Sequence, residues 1–353
     1  MPSLYAPLKS LLFKLDPETS HDLTLKACRL PGAAALIRLA AGPRIDDPVS
    51  ILGLNFTNRV GLAAGLDKNA RYLDALSQAG FGFLEAGTVT PKAQPGNAKP
   101  RMFRLPEQHA VINRFGFNNL GLDDFTRNVR DAHFQGVLGL NIGKNATTPI
   151  EQATQDYLTG LERCFPLASY ITVNISSPNT SDLRALQHDQ ALTDMLSSLA
   201  DARLQLAQQH GRQVPMLIKI APDLSTDQID QIAGQLVSHQ MDGVIATNTT
   251  ISRQGVEQAA HSGEGGGLSG APLLARSNEV IARLRKVLPA GFPIIGVGGI
   301  RHERDALEKL EAGADLLQLY TGLVYEGPAL VGRCARVAQD FFARRRQNPV
   351  GTG

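Results

Sequence analysis

From residue 60 onward the sequence repeats one unit, a short run of β-branched and apolar residues followed by a longer segment whose apolar positions recur at helical spacing. Runs at 60–63, 82–88, 137–141, 170–175, 216–220, 243–247, 293–297 and 316–320 predict eight strands. Segments near 70–79, 150–163, 189–209, 226–238, 276–288, 302–312 and 328–345 predict helices after most of them. Strand and helix alternating in this way give a parallel sheet. Eight units in about 290 residues fit an α/β fold of the closed (β/α)8 TIM-barrel kind better than an open doubly wound sheet. Two connections are too long for plain turns. Residues 90–131, and the glycine-rich 251–270 with Gly263-Glu264-Gly265-Gly266-Gly267, read as excursions that build a site.

Residues 1–44 follow another rhythm. Leu4, Leu8, Leu11, Leu12 and Leu15 recur at helical spacing, Asp16-Pro17 interrupts them, and 23–30 resumes the pattern, which predicts two short amphipathic helices. Lys9, Lys14, Lys26, Arg29, Arg38 and Arg44 outnumber Asp16, Glu18 and Asp22, which suits a helix pair lying on an anionic membrane surface. The other reading of these helices is a cap over one end of the barrel. The expected division is a small N-terminal helical unit, 1–44, and a barrel, 45–353.

Composition adds little beyond exclusions. At 353 residues, 43% hydrophobic and a net charge of +2, the chain can bury a sizeable core and its charge implies no nucleic-acid partner. Cys28, Cys164 and Cys334 lie far apart without metal-ligand spacing, so reduced structural thiols and a reducing compartment are expected. Charged residues interrupt the N-terminal apolar positions, so no secretory signal is expected, and no uncharged run reaches the roughly 18 residues of a spanning helix.

The chemistry is written where the strands end, because barrels of this type carry their functional groups at the C-terminal ends of the strands. The first strand runs into Ala63-Ala64-Gly65-Leu66-Asp67-Lys68, the second into Gly87-Thr88, the third into Asn141-Ile142-Gly143-Lys144 and the fourth into Asn174-Ile175-Ser176-Ser177-Pro178-Asn179-Thr180. The sixth ends in Thr247-Asn248-Thr249, the seventh in Gly296-Val297-Gly298-Gly299 and the eighth in Tyr320-Thr321-Gly322. Glycine turns after strands seven and eight, close to a helix start, point to a phosphorylated ligand. Lys219, inside the apolar fifth strand, needs an anionic or electron-rich partner, either a buried carboxylate or a reduced flavin. Asn141, Asn174, Asn179 and Asn248, with Asn113 and Asn118 from the first excursion, offer donors and acceptors without charge, as a ring with imide or urea-like edges requires. Lys68 adds a cation for a carboxylate. No histidine, carboxylate pair or His/Cys cluster stands in these stretches, and no metal is expected; Ser177 is the hydroxyl with suitable surroundings.

These segments, with Gly87-Thr88-Val89-Thr90-Pro91, Asn113-Arg114-Phe115-Gly116-Phe117-Asn118-Asn119 and Gly266-Gly267-Leu268-Ser269-Gly270, resemble the class 2, quinone-dependent dihydroorotate dehydrogenases across essentially the whole chain. Ser177 stands where class 1 relatives carry a cysteine base, and the helical extension is a class 2 feature. Asn69-Ala70 departs from the pattern, which has a glycine second after the lysine. The resemblance implies FMN on Ala63, Ala64, Gly65, Leu66, Asp67, Thr88, Asn141, Asn174, Lys219, Thr247, Gly270, Gly299, Tyr320 and Thr321. It implies dihydroorotate, or the product orotate, on Lys68, Asn113, Arg114, Phe115, Gly116, Phe117, Asn174, Asn179, Asn248 and Thr249, with Ser177 as base. A membrane quinone would take the electrons, reaching His21, Arg104 and Tyr320 along a path lined by the inward-turned leucines of residues 1–44. The protein would then sit peripherally on the cytoplasmic face of the cell membrane. Two other readings stay open from the residues: a soluble class 1-like dehydrogenase using fumarate or a nicotinamide, against which Ser177 and residues 1–44 argue, and a catalytically silent flavin- or phosphate-binding barrel.

Overall fold

A computed structural model describes residues 5–347 apart from Ser181 and His188, so Leu4 lies outside the described residues. The strands are β1 (Val49–Ile51), β2 (Leu54–Phe56), β3 (Val60–Leu62), β4 (Phe83–Val89), β5 (Met102–Leu105), β6 (Ala110–Asn113), β7 (Val137–Ile142), β8 (Tyr170–Asn174), β9 (Met216–Ile220), β10 (Gly243–Ala246), β11 (Gly267–Gly270), β12 (Ile294–Val297) and β13 (Leu316–Leu319). Eight of them, β3, β4, β7, β8, β9, β10, β12 and β13, close a parallel barrel, with Leu319 paired to Leu62 at the seam. These are the eight strands expected from the sequence, each within a residue or two.

The helices are α1 (Tyr5–Leu12), α2 (Pro17–Ala27), α3 (Ala33–Ala41), α4 (Leu73–Leu76), α5 (Gly121–Asp131), α6 (Ala153–Cys164), α7 (Asp189–His210), α8 (Thr226–Ser238), α9 (Leu274–Val287), α10 (Glu303–Glu311), α11 (Thr321–Glu326) and α12 (Ala329–Gln347). Their inner faces and the outer faces of the barrel strands form the main core. Inside the barrel a second core joins Phe83, Tyr170, Leu217, Ile245, Ile295 and Leu316 to Phe56 of the β1–β2 hairpin. Phe56 meets Phe83 edge-on at 5.1 Å, so the hairpin stoppers the N-terminal end of the barrel and leaves the opposite end for ligands. Its turn places Leu52 and Gly53 at φ of +58° and +69°, the two positive angles of a tight hairpin turn. Three-residue strands are too short to show a period, which is why this hairpin is absent from the sequence reading.

Three other elements differ from expectation. Residues 90–131 hold the β5–β6 hairpin and the full helix α5, whose apolar stripe is narrow: Leu122 and Phe125 are buried in an otherwise polar segment. β11 lies in the glycine-rich excursion and pairs antiparallel with β6, Gly267 opposite Asn113, so tertiary pairing overrides the poor strand propensity of glycine. The N-terminal region forms three helices rather than two, α3 starting beyond Pro31-Gly32.

α1 docks on α11 and α2 on β5 of the excursion sheet, while α3 packs on α4 and α12. Glu18 forms a buried pair with Arg101 at 2.8 Å and an outer one with Lys99 at 3.2 Å. Burial pushes the Glu18 carboxyl up, but the two cations outweigh it and hold it below the usual range. Arg104 donates to the carbonyls of Leu12, Phe13 and Leu15, satisfying the C-terminal end of α1. The leucines do not turn inward as expected: Leu8, Leu11 and Leu15 are 49%, 64% and 41% exposed, and Leu23, Leu30, Leu36 and Leu39 are exposed as well.

Candidate active site

At the open end of the barrel the strand termini and the β11–β6–β5 sheet enclose a cavity of about 1000 Å³, its open mouth included. β3, β4, β8, β9, β10, β12 and β13 all deliver residues to it, because parallel strands end on the same side.

Its inner wall is a connected set of amides and hydroxyls. Thr88 Oγ1 donates to Asn141 Oδ1 at 2.6 Å and accepts from Asn174 Nδ2 at 2.9 Å. Asn174 Oδ1 accepts from Ser176 Oγ at 2.9 Å and from Asn248 Nδ2 at 3.3 Å. Asn248 Oδ1 in turn accepts the backbone N–H of Thr249 at 2.8 Å. Asn174 keeps a further N–H for a ligand, while Asn248 Nδ2 donates also to Ser176 Oγ at 2.9 Å. Lys219 enters from β9; burial lowers its pKa, and the carboxylate of Glu85 works in the opposite direction.

On the outer wall, Lys68 Nζ lies 4.2 Å from the centre of the Phe115 ring. Burial brings its pKa down to about 8, Arg101 adding to the effect and Asp22 and Glu18 opposing it. The same closed surroundings hold His21 down to about 3, through burial first and Lys68 second, so that ring is neutral beside Phe115 at pH 7. Asn179 donates to Asn113 O at 3.1 Å and its own carbonyl accepts from Asn97 at 3.2 Å, which ties the loop after β8 to β6. Ser177 sits in that loop, 5% exposed, its Oγ accepting the N–H of Asn179 at 3.2 Å.

The third wall is backbone. Gly298 and Gly299 hold φ of +115° and +81°, and a Cβ on Gly299 would lie 2.4 Å from Leu274 Cα, so only glycine fits. Among the described residues no carbonyl accepts the N–H of Gly299 or Ile300. Thr321 Oγ1 donates to Ser269 Oγ at 2.9 Å, joining the start of α11 to β11 beside them. Free N–H groups on a glycine turn suit a phosphate. Two cavity-lining side chains also hold buried oxygens that are without a partner among the described residues, Thr249 Oγ1 and Gln318 Oε1. Buried polar atoms are rarely left so, and both fit a polar ring lying across the cavity. A phosphorylated flavin fits this donor set.

The cavity brings together Ala63, Ala64, Gly65, Lys68, Thr88, Asn113, Phe115, Gly116, Phe117, Asn174, Ser177, Asn179, Lys219, Thr247, Asn248, Thr249, Gly270, Gly299, Tyr320 and Thr321. Five residues singled out from the sequence are placed off its wall, Asn118 among them. Asn141 is wholly buried behind Thr88. Asp67 caps the turn at Arg71 and Tyr72, accepting both N–H groups at 2.9 and 2.7 Å, and burial raises its pKa against those bonds. Leu66 packs against the main core. Arg114 turns to the 251–266 loop and pairs with Glu264 at 2.6 Å. Wall residues given no role by the sequence reading include Gln318 and Leu273, and Ser269, quoted there only within its motif. Gln318 carried a signal, an amide in the apolar run Leu316–Leu319 that resembles Lys219 in its strand.

A stoppered parallel barrel whose mouth combines a phosphate cradle, a buried lysine and an amide ring defines the class: a (β/α)8 oxidoreductase of the flavin-dependent kind. The comparisons narrow it. The model of the dihydroorotate dehydrogenase family matches residues 48–341, and the chain belongs to that family. It is 58% identical over 337 residues to the dihydroorotate dehydrogenase (quinone) of Delftia acidovorans, covering 94% of this chain and 97% of the relative. It is 56% identical over 342 residues to the protein of the same name from Chromobacterium violaceum, covering 97% and 99%. Among solved structures, DHODH from Eimeria tenella is similar in its ferulenol complex (TM-score 0.82, 35% identity, 95% of this chain and 93% of that one). Its ligand-free form is similar too (TM-score 0.83, 36%, 95% and 96%).

Proposed function

We propose that this chain oxidises dihydroorotate to orotate in pyrimidine synthesis, with FMN as its flavin and a membrane quinone as final electron acceptor. The observation that carries the reading is the convergence of Ser177, Lys68 and four asparagines, Asn113, Asn174, Asn179 and Asn248, on one cavity beside a glycine phosphate cradle. When bound, FMN supplies the hydride-accepting chemistry that no side chain has. Gly298, Gly299 and Thr321 would hold its phosphate, and Lys219, Thr88 and Gln318 would meet its ring.

The residues of the chain do the rest. Lys68 offers the cation for the substrate carboxylate, and the asparagines fix the ring by its amide edges, so that orientation replaces a strong base. Ser177 Oγ receives the proton from C5. The Asn179 N–H at 3.2 Å stabilises the charge that grows on Oγ as its own proton leaves. Thr180, whose buried Oγ1 has no partner among the described residues, offers that proton a next stop, while Phe117, held at φ +53°, helps close the cavity to bulk water. Residues 1–44 form the membrane-facing domain through which quinone arrives, with the protein peripheral on the cytoplasmic face, and 45–353 form the catalytic barrel.

The test begins with the flavin: an extract of the denatured protein should contain FMN, and dihydroorotate should bleach the holoprotein without air until a quinone restores the colour. Ser177→Ala should slow bleaching by about 10²–10⁴-fold while flavin stays bound. Ser177→Cys should keep part of the rate, rising with pH as the thiolate forms. FAD in the extract, or a Ser177→Ala rate within about tenfold of wild type, would sink the assignment.

A further inference from the structure

Beneath the cavity, at the barrel axis, lies a carboxylate that the proposed chemistry does not use. Glu85, in the middle of β4, is 1% exposed. Three strands serve it. Its Oε1 accepts from Asn141 Nδ2 of β7 at 2.8 Å, and its Oε2 accepts from Gln318 Nε2 of β13 at 2.7 Å and from the phenol of Tyr170 on β8 at 2.9 Å. The Tyr170 ring reaches this point because Gly139 beside it has no side chain; a Cβ there would lie 2.2 Å from Tyr170 Cζ. Glu85 receives three donors and donates to none of them.

That single fact propagates. An amide has one donating and one accepting end, so Asn141, which spends its N–H on Glu85, must turn its oxygen to Thr88. Thr88 then has to donate to Asn141, which leaves its oxygen to accept from Asn174 Nδ2. Asn174 is thereby fixed with its oxygen toward Ser176 and Asn248, both of which donate to it. Every bond along Asn248, Asn174, Thr88 and Asn141 runs toward the carboxylate.

We infer that Glu85 is a positioning residue for the reaction: as the terminal acceptor of a one-way hydrogen-bond relay, it holds from the inner end the orientation in which Asn174 and Asn248 are presented to the pyrimidine ring. Neither asparagine touches Glu85; at the outer end the backbone N–H of Ser176, 3.3 Å from Asn174 Oδ1, and that of Thr249, 2.8 Å from Asn248 Oδ1, favour the same orientation, so the relay is consistent only with an acceptor at its inner end. A core that merely needed filling would take an apolar residue here. The inference rests on the dihydroorotate reading of the cavity.

Replacing the carboxylate by its neutral isostere tests the direction of the relay. In Glu85→Gln the new N–H₂ faces Asn141 Nδ2, donor against donor, with the side-chain oxygen still serving Tyr170 and Gln318. Either Asn141 flips, which reverses Thr88 and Asn174 in turn and sets Asn174 Nδ2 against Asn248 Nδ2, or the Gln turns its N–H₂ to Gln318, which then flips and turns its Nε2 to the cavity in place of Oε1. Adding Asn141→Asp moves the carboxylate one link along: the Gln donates to it, Thr88 donates to it as before, and every later bond keeps its native direction. The readouts are orotate affinity from titration of the flavin spectrum, the rate of flavin reduction by dihydroorotate, flavin content and melting temperature. We expect Glu85→Gln holoprotein to bind orotate at least about tenfold more weakly, the loss expected for a disrupted bond to a charged group, and the double variant Glu85→Gln/Asn141→Asp to return to within about threefold of wild type. Native affinity and rate in Glu85→Gln would overturn the relay, as would a double variant no better than the single one at equal flavin content. If Glu85→Gln does not fold, the double variant decides: a folded holoprotein with near-native orotate affinity upholds the relay, and its failure overturns it. Bleaching of the wild-type protein by dihydroorotate tests the underlying reading separately.

Discussion

Lys68 has to be a cation to hold a carboxylate, yet its surroundings work against its charge. Burial against the Phe115 ring lowers its pKa to about 8, with Arg101 adding repulsion and the acids Asp22 and Glu18 recovering part of the loss. Below pH 8 the free site therefore holds a charged Lys68 and binds orotate fully; above it, binding must first protonate the amine, so affinity falls with pH, approaching tenfold per unit. Titrating the flavin spectrum with orotate from pH 6.5 to 10 reads this directly. A flat profile, or the same slope in Lys68→Ala, would remove the cation's role. Single residues like this one were legible because they break a local rule: a lysine ends the first strand, another sits inside apolar β9, and Ser177 stands among amides. Glu85 and Gln318 break the same rule, in Phe83–Val89 and Leu316–Leu319, and were readable by the same test. What no sequence shows is that their side chains meet at the barrel axis, since that depends on which strands face one another across the closed sheet.

At the scale of elements, the loop between β12 and α10 shows how backbone alone builds a site. Gly299 is held at φ +81° with Leu274 Cα so close that a methyl group must move one or the other. The left-handed conformation costs a residue with a side chain about 1–2 kcal/mol, and the contact with a backbone atom adds to that. In Gly299→Ala the turn is expected to relax away from the cradle, so that binding the phosphate must restore it. Flavin should bind about 5–30-fold more weakly, read as flavin retained after dilution and gel filtration, with far-UV dichroism unchanged. Full retention would place the phosphate elsewhere. The strands themselves were easy to read because parallel strands buried on both faces are nearly continuous apolar runs. β11 and α5 were not, because one is made of glycine and serine around a single leucine and the other shows a stripe too thin to stand out. Both are set by the partner they pack on, β6 for the former and the barrel core for the latter.

Over the whole molecule the two ends of the barrel are treated differently. The hairpin seals one, and the other opens at the strand termini beneath the β11–β6–β5 sheet. The helical period of the leucines predicted that residues 1–44 have an apolar face, but period alone does not say whether that face meets protein or lipid. Among the described residues Leu8, Leu11, Leu15, Leu23, Leu30, Leu36 and Leu39 of this unit are exposed rather than covered by protein, as are Leu120, Leu204, Val237 and Ile251 elsewhere, and Lys14, Lys26, Arg29 and Arg38 of the unit are exposed too. A unit that exposes leucines and cations together suits an anionic membrane surface, and no helix among the described residues is long and apolar enough to cross a membrane. Each leucine withdrawn from water is worth about 1.5–3 kcal/mol. Changing Leu8, Leu11, Leu36 and Leu39 together to serine should therefore abolish binding to vesicles of anionic lipid without touching the buried Glu18–Arg101 pair that docks the helices. Dihydroorotate, a soluble anion, does not arrive through lipid, so flavin bleaching in this variant should match wild type. Reduction of a long-tailed quinone held in vesicles should collapse, while a short-tailed, water-soluble quinone should still be reduced. Equal rates with the long-tailed quinone in the variant and the wild type would mean that the leucine face is not where the acceptor enters.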